Sequence, residues 1–295
     1  MRVFLTGATG FIGTAVIPEL IHAGHKVLGL ARSEAAAKSL VALGARVHRG
    51  DLGDLESLRS GAAEADAVIH CAFIHDFGKY QENCEIDRRA IEALGSVLRG
   101  SDRPLIVTSG TALAPGRVAT EEDAALPSSV MPRGATEEAA DSVAAQGVRV
   151  SVVRLPQVHD RNMQGLVTLV IVIAREKGVS AYVGDGTNRW PASHRLDTAR
   201  LYKLVLEKGA SGARYHAVAE EGVRVRDIAE VIGRRLNIPI VSKSPEEAAT
   251  HFGWLGAFAG LDCPASSALT QERLRWRPVE TTMLSDLERA SNLES

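Results

Sequence analysis

The sequence predicts an α/β protein built on a doubly wound parallel sheet, followed by a smaller α/β region. Three observations predict it. Short runs rich in Val, Ile and Leu alternate with amphipathic segments through the first half of the 295-residue chain. The runs are apolar nearly throughout, as strands covered by helices on both faces must be. A glycine pattern, TGATGFIG at 6–13, separates the first run from the first amphipathic segment, where a tight strand-to-helix turn belongs.

Taken in order, RVFLT (2–6), KVLGLA (26–31), ARVHRG (45–50), AVIHCA (67–72), PLIVTS (104–109) and VRVSVVRL (148–155) read as strands. Segments such as 14–24 and 33–44 read as the helices between them. After about residue 160 the pattern loosens. Helices are expected at 165–177, 197–208, 225–237 and 245–258, with short strands at 215–220 and 239–244. Repeats, low-complexity tracts and charge blocks are absent from the sequence.

Composition excludes several classes. Hydrophobic residues make up 45% and charged residues 24%, with a formal net charge of -2. Such a balance gives no electrostatic reason to expect nucleic acid or an anionic membrane as partner. The apolar run GLVTLVIVIA (165–174) is about half the roughly 20 residues a membrane-spanning helix needs. Cys71, Cys84 and Cys263 form no CxxC pair, so neither a disulfide framework nor a metal site is expected. With a strand pattern beginning at Arg2, we expect no signal peptide and a cytoplasmic location.

In TGATGFIG, Gly7 permits the turn, Gly10 lets a pyrophosphate approach the backbone, and Gly13 lets helix and strand pack closely. Thr9, Phe11 and Ile12 complete the loop, and phosphates would sit on the N–H groups that open the helix. The second strand ends GLARS (29–33), where a site for NAD places an acid against the ribose 2′-hydroxyl. Ala31 stands there instead, followed by Arg32 and Ser33. A missing carboxylate beside a guanidinium suits a 2′-phosphate, so NADP is expected over NAD. The alternative is that Arg32 is simply a solvated surface residue.

TGATGFIG, GDLGD (50–54), VIHCA (68–72) and RLPQV (154–158), with GDGTNRWPASHRLDTA (184–199) and SALTQERLRWRP (267–278), resemble the short-chain dehydrogenase/reductase superfamily. The likeness is to its extended and atypical branches, which include sugar-nucleotide epimerases and dihydroflavonol-type reductases. It implies a Rossmann-type NADP-binding domain over 1–160 and a smaller substrate-binding region over 161–295, not strictly separable. Asp51 and Leu52 would flank the adenine, Ala72 and Phe73 the nicotinamide ribose, and Pro156, Gln157 and Val158 the nicotinamide. A homodimer through paired surface helices is also implied.

The family's enzymes carry a Tyr-x-x-x-Lys pair on one helix, in which the lysine lowers the tyrosine's pKa while the tyrosine moves a proton. Here Tyr80, Tyr182, Tyr202 and Tyr215 are followed four residues on by Cys84, Gly186, Leu206 and Ala219. Counting back from VRVSVVRL puts Arg133 at the tyrosine position and Glu137 at the lysine position, give or take a residue. Arg133 cannot release a proton, but it can stabilise an alkoxide. The two are expected to pair i,i+4 on the helix surface.

Thr111, or Ser109 if the loop shifts, falls at the family's catalytic hydroxyl, although either could simply satisfy local backbone groups. The segment FIHDFGKY (73–80) places His75, Asp76 and Lys79 near the strand ends, with His75 a candidate general acid. His159 stands where relatives often carry a tyrosine, and His194 lies beside Trp190. Any one of these histidines is more often structural than catalytic. Trp190 stands where sugar-nucleotide relatives often carry a phosphate-binding arginine, although Arg189 is adjacent. Asp197 is expected to cap a helix. HFGWLGAFAG (251–260) is either a cover for substrate or a packing face. The expected activity is NADPH-dependent reduction of a small, fairly apolar ketone or aldehyde. The rivals are a non-catalytic NADP(H)-binding sensor and, behind it, a sugar-nucleotide epimerase or dehydratase.

Overall fold

The computed structural model describes residues 1–293. The first half runs β1 (Arg2–Thr6), α1 (Gly13–His22), β2 (Lys26–Ala31), α2 (Glu34–Ala42), β3 (Arg46–Arg49), α3 (Leu55–Ala63), β4 (Ala67–His70), α4 (Tyr80–Leu98), β5 (Pro104–Gly110), α5 (Gly134–Ala145) and β6 (Arg149–Leu155). Then come β7 (Gln157–His159), α6 (Val167–Lys177), β8 (Ser180–Val183), β9 (Arg189–His194), α7 (Arg195–Lys208), β10 (Arg214–His216) and β11 (Glu220–Arg224). The chain closes with α8 (Val225–Leu236), β12 (Ile240–Lys243), α9 (Pro245–Phe252), α10 (Gly256–Ala259), α11 (Ala268–Leu274) and α12 (Met283–Glu288).

Seven strands form one parallel sheet in the order β3-β2-β1-β4-β5-β6-β10. The continuous apolar runs explain it, because both faces are covered. Val3 and Leu5 pack with Val16, Leu20, Leu40 and Tyr202 from α1, α2 and α7. Phe4, Val68 and Leu105 pack with Leu58, Ile91, Leu94 and Val143 from α3, α4 and α5. Each such Leu, Ile or Phe contributes ~1.5–3 kcal/mol over leaving it in water. The strand order reverses between β1 and β4, which opens a crevice at the carboxyl ends of these strands.

Two smaller sheets, β11-β9-β7 and β12-β8, share a further core with α6, α8, α9 and α12. The strands β7, β8, β9 and β11 carry no periodic signal long enough to be read in advance, and they form because they pair with one another. The expected strand at 215–220 is split: 214–216 completes the main sheet, and 220–224 pairs antiparallel with β9. The expected helix at 245–258 breaks at Gly253 into α9, a 3₁₀ turn and α10. GLVTLVIVIA supplies most of α6, and among the described residues no helix is long and apolar enough to cross a membrane.

Asp197 is not the cap of α7. His194 caps it, accepting from the Leu196 N–H, while the buried Asp197 carboxylate receives the Val279 and Glu280 N–H groups at 2.9 and 3.0 Å. It holds the late segment against the helix instead.

The glycine turn is the tightest point of the fold. Gly7 sits at φ +65°, and a Cβ there would lie 2.7 Å from the Ala72 nitrogen. A Cβ on Gly13 would lie 2.2 Å from the Gly7 carbonyl oxygen. We expect Gly13→Ala to cost at least the ~1–3 kcal/mol of overpacking, read as a lowered Tm and weakened dinucleotide binding.

Candidate active site

A cleft of about 1220 Å³ runs along the carboxyl edge of the sheet. At one end it is lined by Gly7, Thr9, Gly10, Phe11, Ile12 and Gly13, with Arg32, Asp51 and Leu52 at the ends of β2 and β3. Ala72 and Phe73 follow β4 into it, and Pro156, Gln157 and Val158 follow β6. Ser33, Lys79, His159 and His194 do not line it. Ser33 caps α2 by accepting from the Ala36 N–H at 3.1 Å. The Asp51 carboxylate accepts the Gly53 N–H at 2.9 Å, and Asp54, not Asp51, caps α3. Gln157 is also committed, accepting the Leu166 N–H at 2.9 Å.

The cradle fits a dinucleotide. No side chain caps the N-terminus of α1, and no acidic residue lies in its first turn, so this helix end suits an anion. At the end of β2, Ala31 is buried and Arg32 is exposed on the cleft. Glu34, two residues on, is paired with Arg49.

The other end of the cleft is aromatic. Phe73, Phe77, Tyr80, Trp190, Trp254 and Phe258 line it. Phe77 from the loop after β4 stacks on Trp254 at 4.1 Å and 11°. The 251–260 segment packs with one face and lines the cleft with the other. His251, Phe252, Leu255 and Ala259 are buried, while Trp254 and Phe258 face the cleft. Trp190 is itself buried and donates to the Leu261 carbonyl at 3.2 Å.

At the floor lies Arg133, which together with Glu137 corrects the expected surface pair. Arg133 Nη1 donates to Asp87 at 2.8 Å, Nη2 donates to the Thr108 carbonyl at 2.9 Å, and its guanidinium lies 4.0 Å above the Phe73 ring. Glu137 points the other way, into the core, where Arg154 grips both its oxygens at 2.8 Å. A charge opposite in sign waits on each side of α5: Asp87 on α4 and Arg154 on β6. These partners were missed because they lie 46 and 17 residues away in the chain.

Asp87 has no exposed surface. Its Oδ2 also accepts from Thr136 at 2.6 Å, and its Oδ1 lies 3.0 Å from His70 Nε2. His70 Nδ1 lies 2.8 Å from the Thr6 hydroxyl, which in turn accepts the Ala72 N–H at 3.2 Å. The Ala72 N–H, the Thr6 hydroxyl, the His70 ring and the Asp87 carboxylate thus form one hydrogen-bonded chain. Burial pushes the Asp87 carboxyl up, but the Arg133 charge and the His70 and Thr136 hydrogen bonds outweigh it and hold it below the usual range. Glu137 follows the same logic, with burial outweighed by Arg154.

The candidate hydroxyls are already engaged. Thr111 reaches the Leu155 carbonyl at 3.4 Å, and Ser109 is among the groups that help hold the Glu137 carboxyl down. Asp76 accepts the Gly78 N–H at 3.0 Å. His75 is exposed at the mouth, and partial burial in the cleft with the nearby Arg133 charge holds it below its ordinary range. Tyr80, passed over because Cys84 stands four residues on, faces the cleft, and burial pushes its phenol up to about 12.

His159 and His194 leave the substrate set for the same reason as each other. Both rings turn to Asp286, which lies 2.8 Å from His159 Nδ1 and 3.7 Å from His194 Nε2. His159 is fully buried. Among the described residues, the only arginines or lysines lining the cleft are Arg32 and Arg133.

A doubly wound sheet with a glycine cradle at its switch point defines a nicotinamide-dinucleotide-binding protein of Rossmann type. The chain belongs to the NAD dependent epimerase/dehydratase family, whose model matches residues 3–219, within the extended short-chain dehydrogenase/reductases. It is 50% identical over 290 residues to the uncharacterized protein C2A9.02 of Schizosaccharomyces pombe, covering 97% of this chain and 98% of that one. It is 26% identical over 269 residues, 86% of this chain and 80% of that one, to a 4-hydroxy-2-methyl-3-oxo-4-farnesyl-3,4-dihydroquinoline-1-oxide ketoreductase of Stigmatella aurantiaca. Among solved structures, the dTDP-glucose 4,6-dehydratase DesIV of Streptomyces venezuelae shares the fold at TM-score 0.77 and 19% identity, over 99% of this chain and 96% of that one.

Asp87 and Glu137 give the chain a defined acid limit. Folded values below the unfolded ones, about 3.9 for Asp and 4.3 for Glu, contribute stability that is present above those unfolded values. It is lost as pH falls through the folded ones. We expect unfolding free energy to fall below about pH 4 on this account. In the double variant Glu137→Met/Arg154→Met the acid limb should be shallower. Denaturant titrations from neutral to acid pH check it.

Proposed function

We propose that the protein is an NADPH-dependent reductase of a small, fairly apolar ketone or aldehyde. The division of the cleft carries this reading. One end is an anion cradle with Arg32 beside it, and the other is an aromatic wall whose single guanidinium is already paired with Asp87. A sugar nucleotide would need further cations for its diphosphate. Arg189, next to the cleft residue Trp190 in sequence, is forked onto Asp262 at 3.1 and 3.0 Å. The ketoreductase among the relatives, which by its name reduces a ring ketone, supports the choice of a carbonyl reductase.

Reduced nicotinamide supplies hydride when bound. The chain's own residues align the acceptor and receive the charge. Arg133 offers its remaining N–H donors to the carbonyl oxygen, where a fixed donor in a water-poor site acts most strongly. The Phe73 and Phe77 rings hold an apolar body beside it. His75, kept neutral at pH 7, serves as a route for a proton from water and not as a standing acid.

NADPH oxidation with a panel of ketones and aldehydes tests the reading. Turnover above background supports it. Tight NADPH binding with no turnover on any carbonyl overturns it in favour of a sensor. Separately, Arg32→Ala should weaken NADPH binding about ten-fold or more, from the ~1.5–3 kcal/mol of a charged hydrogen bond, and leave NADH binding nearly unchanged. Fluorescence titration with both dinucleotides checks it.

A further inference from the structure

We propose that the acceptor is a quinone, a flat apolar dicarbonyl whose reduction by hydride leaves a phenolate and not an alkoxide. This rests on the reductase reading and names the substrate class for that same cleft.

Hydride delivery puts a negative charge on oxygen, and a protein meets it either with a proton in the same step or with fixed positive charge. A guanidinium does not give up its proton, so Arg133 provides only the second. Asp87 and the Thr108 carbonyl take two of its five N–H donors, and the Phe73 ring fixes its plane. The other donors are left for the cleft.

The neighbouring exchangeable protons are poorly poised. His75 sits at the mouth in its neutral form, the Thr111 hydroxyl already reaches Leu155, and Tyr80 is shifted upward, against the direction that eases proton transfer. The nascent anion must therefore survive until it meets solvent. A simple alkoxide is about as basic as hydroxide, whose conjugate acid has a pKa of about 15.7. A phenolate belongs to an acid of about 10. The second is the far weaker base and the more readily held by one guanidinium that is already paired with Asp87.

Shape agrees with basicity. Aromatic rings wall this end of the cleft, with Phe73 beneath the guanidinium and Phe77 stacked flat on Trp254. Stacked and edge-on aromatic contacts favour a planar body over a puckered one.

The step balances. The C–H bond of the dihydronicotinamide breaks with its electron pair, and an O–H bond forms on one quinone oxygen. The dinucleotide is oxidised by two electrons and the quinone reduced by two. The ring becomes aromatic, the second oxygen carries the charge toward Arg133, and a solvent proton then gives the hydroquinone.

The test uses the full chain with NADPH and two acceptors of one bicyclic frame, 1,4-naphthoquinone and 1-tetralone, with rates taken over the uncatalysed reaction. The proposal expects the quinone to be favoured in kcat/KM and its solvent deuterium isotope effect to be near unity. Tyr80→Phe, which keeps the ring in the wall and removes only the hydroxyl, should leave the solvent isotope effect near unity, and Arg133→Gln should lower kcat by about 100-fold, the usual loss of an oxyanion donor. Because Arg133→Gln strands a buried carboxylate, Arg133→Gln/Asp87→Asn is measured beside it, with NADPH affinity as the check on folding. Preference for tetralone or for simple aldehydes overturns the quinone assignment and leaves the reductase reading standing. So does a quinone rate that collapses in Tyr80→Phe with a large solvent isotope effect. No oxidation of NADPH by either acceptor or by simple aldehydes overturns both.

Discussion

The carboxylate of Asp87 is the point on which the reacting end of this molecule depends. It is wholly buried and shared by His70, Arg133 and Thr136, so it joins α4 to β4 and α5 at one place. Removing one partner of such a pair costs ~3–5 kcal/mol, mostly for the charge left behind. The same carboxylate reaches the cofactor end through His70 and Thr6, the first residue of the glycine motif. A displacement of Arg133 is thereby coupled by hydrogen bonds to the turn that would hold a pyrophosphate.

Charge on α5 is rearranged relative to the Tyr-x-x-x-Lys pattern. A helical pair that would present phenol and ammonium to the cleft presents one guanidinium instead. The residue one turn on faces the opposite way, into a core pair with Arg154. Arg154 extends that pair to His216, which lies 3.3 Å away and bonds the Ser266 carbonyl at 2.7 Å. Through Arg154 and His216, the carboxylate at position 137 thus reaches the late segment at Ser266.

Legibility in the sequence follows the range of the interaction. RVFLT and KVLGLA are strands to the residue, because a strand covered on both faces leaves a continuous apolar run. The glycine loop is legible because main-chain geometry demands it. Asp87 was not legible: it lies in NCEIDRRA among Glu85, Arg88 and Arg89, and reads as one more polar residue of an amphipathic helix. His159 looked like a cleft residue from its strand, yet its partner Asp286 lies 127 residues on and pulls it inward. The spacing to Cys84 removes Tyr80 from a Tyr-x-x-x-Lys pair, but spacing along a helix says nothing of whether the ring reaches the cleft.

The two ends of the cleft thus answer to different constraints. Backbone shape fixes the dinucleotide cradle, which tolerates almost any chemistry beyond it. Paired charge fixes the reacting end, and paired charges change together. A tyrosine placed at 133 would restore a phenol to the floor but take from Asp87 its strongest counter-charge. Burial would then push that carboxyl up toward its neutral form, weakening its hold on Thr136 and on the His70 chain. Nor would Glu137 supply the positive charge that such a phenol needs, since it is ionised and bound to Arg154. Arg133 and Asp87 are therefore one unit, and the chemistry this floor supports is that of a fixed cation facing a developing anion.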